Sequence, residues 1–264
     1  MTQNLTLNGK RAFVGGASQG IGRACAQELA RLGAHITAVA RDEAALGSLL
    51  AELPTEDGQQ HALLVADFSN PEELAGLAAQ TVEKHGAHEI IINNTGGPAS
   101  GPLMDATASD IIDGITKHIL AYQAMAGVFV PGMKNNGYGR IINIISTSVI
   151  MPISGLGVSN TTRGAVANWG RTLAGELGPF GITVNNVLPG FTATERLRSL
   201  LSRKAERQGT TLEAIELDSK AGIPMRRFAD PREIGSVVAF LASPAASYVS
   251  GVNLPVDGAR TAVQ

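Results

Sequence analysis

The chain has 264 residues, of which 44% are hydrophobic and 17% charged, with a formal net charge of −2. That length buries a core without a metal or disulfide staple, and the charge balance gives no reason to expect nucleic acid or an anionic membrane as a partner. The single cysteine, Cys25, rules out an internal disulfide framework and suits a reducing, cytoplasmic setting; it reads as a small buried hydrophobe. Met1 to Lys10 carries no apolar core of signal-peptide length. No run of about 20 apolar residues occurs, so no membrane span is expected.

Short β-branched runs alternate with longer helical patterns. Arg11–Val14 reads as the first strand, with a helix from Gly20 to Leu32. Ala34–Ala40 is the second strand, followed by a helix from Asp42 to Leu53. His61–Val65 is the third, and Asn70-Pro71-Glu72-Glu73 is a good helix start. Glu89–Asn93 is the fourth, before a long helix over Ala108–Asn135, expected to bend at Pro131. Arg140–Ile145 is the fifth, followed by a helix from Ser159 to Leu177. Gly181–Val187 is the sixth. Fully apolar strands such as Ile141-Ile142-Asn143-Ile144-Ile145 imply burial on both faces and hence a parallel sheet. Strict alternation without a linker predicts one α/β domain over residues 1–264, a doubly wound parallel sheet of Rossmann type.

From Phe191 to Phe228 the pattern changes. Glu195–Arg207 and Leu212–Lys220 read as two short amphipathic helices ahead of a last helix, Pro231–Leu241. An insertion at the C-terminal edge of a parallel sheet lies over the ligand crevice, so residues 191–228 are expected to form a lid or a plain helical decoration there.

The strand ends carry ligand-type chemistry. Gly16-Ala17-Ser18-Gln19-Gly20-Ile21-Gly22 follows the first strand, where backbone N–H groups and a helix N-terminus would cradle a pyrophosphate. Ala40-Arg41 ends the second strand. A carboxylate there would favour NAD; alanine leaves room for a 2′-phosphate and Arg41 can pair with it, so NADP is preferred over NAD. The alternative for Arg41 is a solvated surface charge. Asp67-Phe68 follows the third strand beside the expected adenine, and Asn93-Asn94-Thr95-Gly96-Gly97 follows the fourth beside a ribose.

Together with Gly139-Arg140-Ile141-Ile142-Asn143 leading to Ser146, Asn185-Asn186-Val187-Leu188-Pro189-Gly190, and Ser250–Gly258, these residues resemble the short-chain dehydrogenase/reductase family, in its 3-oxoacyl-ACP-reductase-like branch. The resemblance runs from about Leu7 to Gly258. It implies NAD(P) binding by the glycine turn with Pro189, Gly190 and Thr192, hydride transfer between nicotinamide and a small carbonyl or alcohol substrate, and a homotetramer. It implies no metal.

The family carries its chemistry on an Asn, a Ser, a Tyr and a Lys. In this sequence those positions read His118, Ser146, Ser159 and Arg163, and only the serine is retained. A serine hydroxyl is a far poorer general acid than a tyrosine, whose pKa starts near 10. Arg163 can still hold the nicotinamide ribose but cannot release a proton. Ser146 can hydrogen-bond a substrate oxygen. His118 has the only side chain of the four with an ordinary pKa near neutrality, and can feed protons through water or simply pack. Tyr122, one turn on, offers a substitute phenol. Two functions remain open: an NADP(H)-dependent oxidoreductase with a non-standard proton donor, or a nucleotide-binding pseudoenzyme acting as sensor or structural partner. The arginines of 195–207 suit an anionic or acyl-carrier substrate, or a solvated face.

Overall fold

The apolar runs become the strands of one parallel sheet in a computed structural model that describes residues 5–263; the first four residues of the N-terminal reading lie outside it. In chain order the strands are β1 (Arg11–Gly15), β2 (His35–Ala40), β3 (Ala62–Val65), β4 (Ile90–Asn93), β5 (Gly139–Ile144), β6 (Ile182–Pro189) and β7 (Asn253–Val256). The spatial order is β3-β2-β1-β4-β5-β6-β7. The chain reverses direction across the sheet between β1 and β4, which opens a crevice at their C-terminal ends.

The helices are α1 (Gly20–Arg31), α2 (Glu43–Glu52), α3 (Pro71–His85), α4 (Ala108–Ile115), α5 (Ala121–Asn136), α6 (Gly157–Leu177), α7 (Glu195–Gln208), α8 (Leu212–Ala221) and α9 (Pro231–Ala242). Strand residues alternate between two cores, as a period of two requires. Ala12, Val14, Ile90, Ile92 and Ile142 pack with Leu29, Leu49 and Val238 of α1, α2 and α9. Phe13, Ile91, Ile141 and Val184 pack with Leu74, Phe129 and Val166 of α3, α5 and α6. Both faces are covered, which is why the strands read as continuous apolar runs.

Three features depart from the sequence reading. The long helix is divided: α4 starts on a capping box of Thr107 and Asp110, and α5 follows a single π turn, Thr116–Leu120. Pro131 lies inside α5, so the change of geometry sits well before the expected bend. β7 is a strand the periodicity did not mark. The third is a row of asparagines in the sheet, paired residue for residue: Asn93 with Asn143, Asn143 with Asn186, Asn186 with Asn253. Each side-chain amide donates to the next carbonyl at 2.8 Å, from Asn93 through Asn143 and Asn186 to Asn253. A Cβ on Gly170 of α6 would stand 2.8 Å from Asn186 Oδ1, so α6 lies directly on this row.

α7 and α8 hold a small cluster of their own, Leu197, Leu201, Ala205 and Ile215, edged by Phe191, Leu212 and Phe228. No helix among the described residues is long and apolar enough to cross a membrane.

Candidate active site

The turn after β1 is shaped by contact. Gly16 has φ +58°, and a Cβ there would lie 2.6 Å from Asn94 Nδ2; one on Gly22 would lie 2.1 Å from the Gly16 carbonyl oxygen. Asn94 donates to the Gly15 carbonyl at 3.1 Å, tying the end of β4 to this turn. α1 starts at Gln19 with no side-chain cap and no acidic residue in its first turn, whereas side chains cap α2, α4, α7, α8 and α9. The free N–H groups at this helix end fit a ligand anion. Beside them a cavity of about 380 Å³ is lined by Gln19, Gly20, Thr194 and Glu195. Ser18 and Ile21 lie in the same turn, Ile21 packing on the core.

Arg41 follows β2, its side chain exposed and 3.7 Å from Asp67 Oδ2. Burial opposes ionisation of Asp67, but the Ser69 N–H and the Arg41 cation hold its carboxyl below the ordinary value. Phe68 turns inward, its ring edge-on to Tyr122 at 6.4 Å. Gly96 has open space around its Cα. Across the crevice Pro189 ends β6, and Thr192 is buried with its hydroxyl on the Gly190 carbonyl at 3.2 Å.

Ser146 follows β5 in extended backbone, and its Oγ accepts the Ser148 N–H at 3.0 Å. With its lone pair so engaged, the hydroxyl proton is free to be donated outward. Ser159 lies in the first turn of α6, and its hydroxyl makes no hydrogen bond among the described residues. Asn160, which the sequence reading passed over, fixes this end of the helix by donating to the Ile153 carbonyl at 2.9 Å. Arg163, one turn on, is 8% exposed and donates from Nη1 to the Ile144 carbonyl at 2.8 Å. Ser146 and Arg163 are thus held together through the end of β5. Burial lowers the Arg163 pKa, with Tyr122 opposing, but a guanidinium remains charged at neutral pH.

His118 lies in the π turn, fully buried, and donates from Nδ1 to the Gly114 carbonyl at 2.8 Å. Burial and the Arg163 and Lys117 cations push its pKa down to about 3 against that hydrogen bond. Its Nε2 has no partner among the described residues, and neither has the Tyr122 hydroxyl. Tyr122 is sealed in the core, and burial drives its pKa to about 12, with the Arg163 cation opposing but completing no well-formed hydrogen bond. Tyr122 is therefore no substitute phenol. Trp169 packs on Tyr122 and donates to Gln123 Oε1 at 2.8 Å.

A glycine turn with an uncapped helix end thus follows β1, and a serine and a buried arginine stand at the end of β5. The sequence profile of the enoyl-(acyl carrier protein) reductase family matches residues 16–260, and the chain belongs to the short-chain dehydrogenase/reductase family. It is 32% identical to a 3-oxoacyl-[acyl-carrier-protein] reductase of Vibrio cholerae over 254 residues, covering 96% of this chain and 98% of the other. An NADPH-dependent reductase of Bacillus subtilis is 29% identical over 253 residues, 96% of this chain and 98% of that one. Among solved structures, L-sorbose reductase from Gluconobacter frateurii, complexed with NADPH and L-sorbose, superposes with a TM-score of 0.90 at 28% identity, covering 97% of each chain.

Proposed function

We propose that this enzyme is an NADP(H)-dependent reductase that transfers hydride between nicotinamide and a small carbonyl or alcohol substrate, without a phenol as proton donor. The observation that carries the reading is the pair at the end of β5: Ser146, with its hydroxyl proton free, and Arg163, a buried cation anchored on the Ile144 carbonyl. The glycine turn and the uncapped α1 N-terminus take the cofactor's phosphates, with Ser18, Gln19 and Ile21 supplying the turn around them. Asn94 and Gly96 line its ribose side, Pro189, Gly190 and Thr192 its nicotinamide side, and Asp67 with the Phe68 backbone the adenine side.

Ala40 and Arg41 support NADP over NAD. The Arg41–Asp67 pair is exposed, and such a pair is worth about 0–1 kcal/mol, so a 2′-phosphate readily takes Arg41. When bound, the cofactor supplies the hydride. Ser146 donates to the substrate oxygen as negative charge develops on it, and Arg163 holds the ribose and adds positive charge. Ser159 bonds the substrate or a water that delivers the proton. His118, neutral at working pH, offers Nε2 as a hydrogen-bond acceptor behind Arg163 and stores no proton. The exposed apolar side chains of Met104 ahead of α4, Ile112 on α4 and Leu120 on the π turn support self-association, for which the family resemblance suggests a homotetramer, and the single thiol Cys25 supports a cytoplasmic site of action.

The test is incubation with NADPH and with NADH against a panel of ketones, aldehydes and 3-oxoacyl thioesters, scored by product mass. We expect reduced products with NADPH that fall about 10²-fold or more in Ser146→Ala, the scale of one oxyanion donor. The missing phenol favours a second reading, a nucleotide-binding pseudoenzyme. NADPH binding with no product from any carbonyl would establish that reading instead.

A further inference from the structure

α7 crosses the mouth of the crevice, and its side chains there are arginines. Arg196 in its first turn donates from Nη2 to the Pro98 carbonyl in the loop after β4, at 2.8 Å. At its far end, Arg207 Nη1 lies 4.0 Å from where a Cβ on Gly155 would stand, in the loop after β5. Arg196, Leu200, Arg203 and Arg207 follow spacings of four, three and four, which place them on one helix face. Leu197, Leu201 and Ala205 occupy another, turned to Ile215 of α8. The basic face is therefore the one laid along the two loops that border Ser146.

The first of these arginines shares a neighbour with Arg163. A Cβ on Gly97 would stand 3.7 Å from Arg196 Nη2 and 3.8 Å from Arg163 Nη2, so the two guanidinium groups lie against the same residue. No carboxylate pairs with Arg163, Arg196, Arg203 or Arg207 among the described residues, whose seven ion pairs lie elsewhere. Burial lowers the Arg196 pKa, and Arg203 and Arg163 lower it further, with no acidic group opposing. Arg163 is buried and Arg196 exposed, so the two like charges lie at the edge of the crevice, where an anion between them would relieve their repulsion.

We propose that the carbonyl substrate of this enzyme carries a carboxylate, which seats between Arg196 and Arg163. The inference rests on the reductase reading above and assigns its substrate class. A guanidinium has five donors in a fixed fork. With one Arg163 donor on the Ile144 carbonyl, four remain to be shared between a ribose and the carboxylate, against two for a lysine ammonium. Replacing a tyrosine by Ser159 also leaves the adjoining volume to the substrate. Arg203 and Arg207 draw the anion toward the mouth, an attraction that salt weakens.

The probes are 2-, 3- and 4-oxo acids, each beside its neutral amide, measured by saturation-transfer NMR on the protein with bound NADP⁺ and by kcat/KM with NADPH. At least one acid is expected to bind about tenfold or more tightly than its amide, as a charge-assisted hydrogen bond requires. Arg196→Gln brings that ratio near one and leaves NADPH affinity within about twofold, since one lost substrate contact does not touch the cofactor. Equal binding of every acid and its amide by the unaltered protein overturns the proposal. So does an Arg196→Gln protein whose NADPH affinity falls tenfold with the acid preference intact, which would put Arg196 on the cofactor's phosphates. An acid preference that Arg196→Gln abolishes, with no turnover of any probe, sustains the carboxylate site and defeats the reductase reading alone.

Discussion

Ser159 shows how much chemistry one side chain withholds. Its hydroxyl is unbonded within the fold and stands one helical turn before a buried guanidinium. Ser159→Tyr would place a phenol on that same face of α6, where the Arg163 cation lowers the cost of ionising it. General acid catalysis is worth 10²–10⁴-fold, so kcat of Ser159→Tyr on a small ketone without a carboxylate, which leaves that volume to the phenol, should rise by about 10²-fold. Its pH profile should gain a limb below the ordinary tyrosine value near 10. An unchanged rate and profile would mean that proton delivery does not limit turnover. The same residue marks what the sequence offered: the family resemblance singles out Ser146, Ser159 and Arg163, and the fold sets Arg163 on the Ile144 carbonyl two residues before Ser146. The state of His118 was not legible, because its charge depends on burial and on Arg163, whose position only the fold supplies.

Among the elements, the asparagine row holds four strands in one register. Its members run in one direction, each amide giving a proton and each carbonyl taking one, so no member can be replaced alone. Asn143→Leu leaves the Asn93 amide and the Asn186 carbonyl buried without partners. At ~1–3 kcal/mol for each orphan, urea unfolding should show a loss of roughly 2–5 kcal/mol with the m-value unchanged. A loss under about 0.5 kcal/mol would mean that water replaces the missing side chain. A polar residue inside an otherwise apolar strand was the visible sign of this row; the partners were invisible because register is a tertiary property. β7 escaped for a related reason. It is an edge strand containing Pro255, and proline, tolerated at an edge, breaks the pattern that marks a strand. The arginines of α7 read as a solvated or a substrate-facing surface; all four are exposed, and the contact that sets Arg196 on the Pro98 carbonyl was beyond the sequence.

At the scale of the whole molecule, acid is the destabilising condition. Burial pushes His88 down to about 4, with its ring held by Thr37 and the Gly86 carbonyl, and His118 lies at about 3. In the unfolded chain both return to about 6.5. Their folded values are depressed, so below pH ~6.5 the unfolded chain binds protons the fold refuses, and stability present above that pH is lost as it falls toward 4 and then 3. Two such sites give a limiting slope of roughly 2.7 kcal/mol per pH unit. Urea midpoints should therefore drop between pH 7 and pH 5, above the range where carboxylates titrate. Equal midpoints across that interval would show that the two rings accept protons within the fold. The parallel, doubly wound character of the sheet was legible from alternation and from strands apolar on both faces, since only a covered parallel sheet accommodates them; its order was not.

The cluster of Leu197, Leu201, Ala205 and Ile215 shares no residue with the two cores flanking the sheet. In the vocabulary of inheritance, residues 196–221, beyond Thr194 that borders the cofactor turn, are a separable trait. Mutations that reshape the surface α7 presents to a substrate are judged within a cluster of four buried side chains, while the sheet and its cofactor cradle keep their own packing. A lineage can then revise what it reduces by drift in one short insertion, and the nucleotide-binding machinery passes through each revision unaltered.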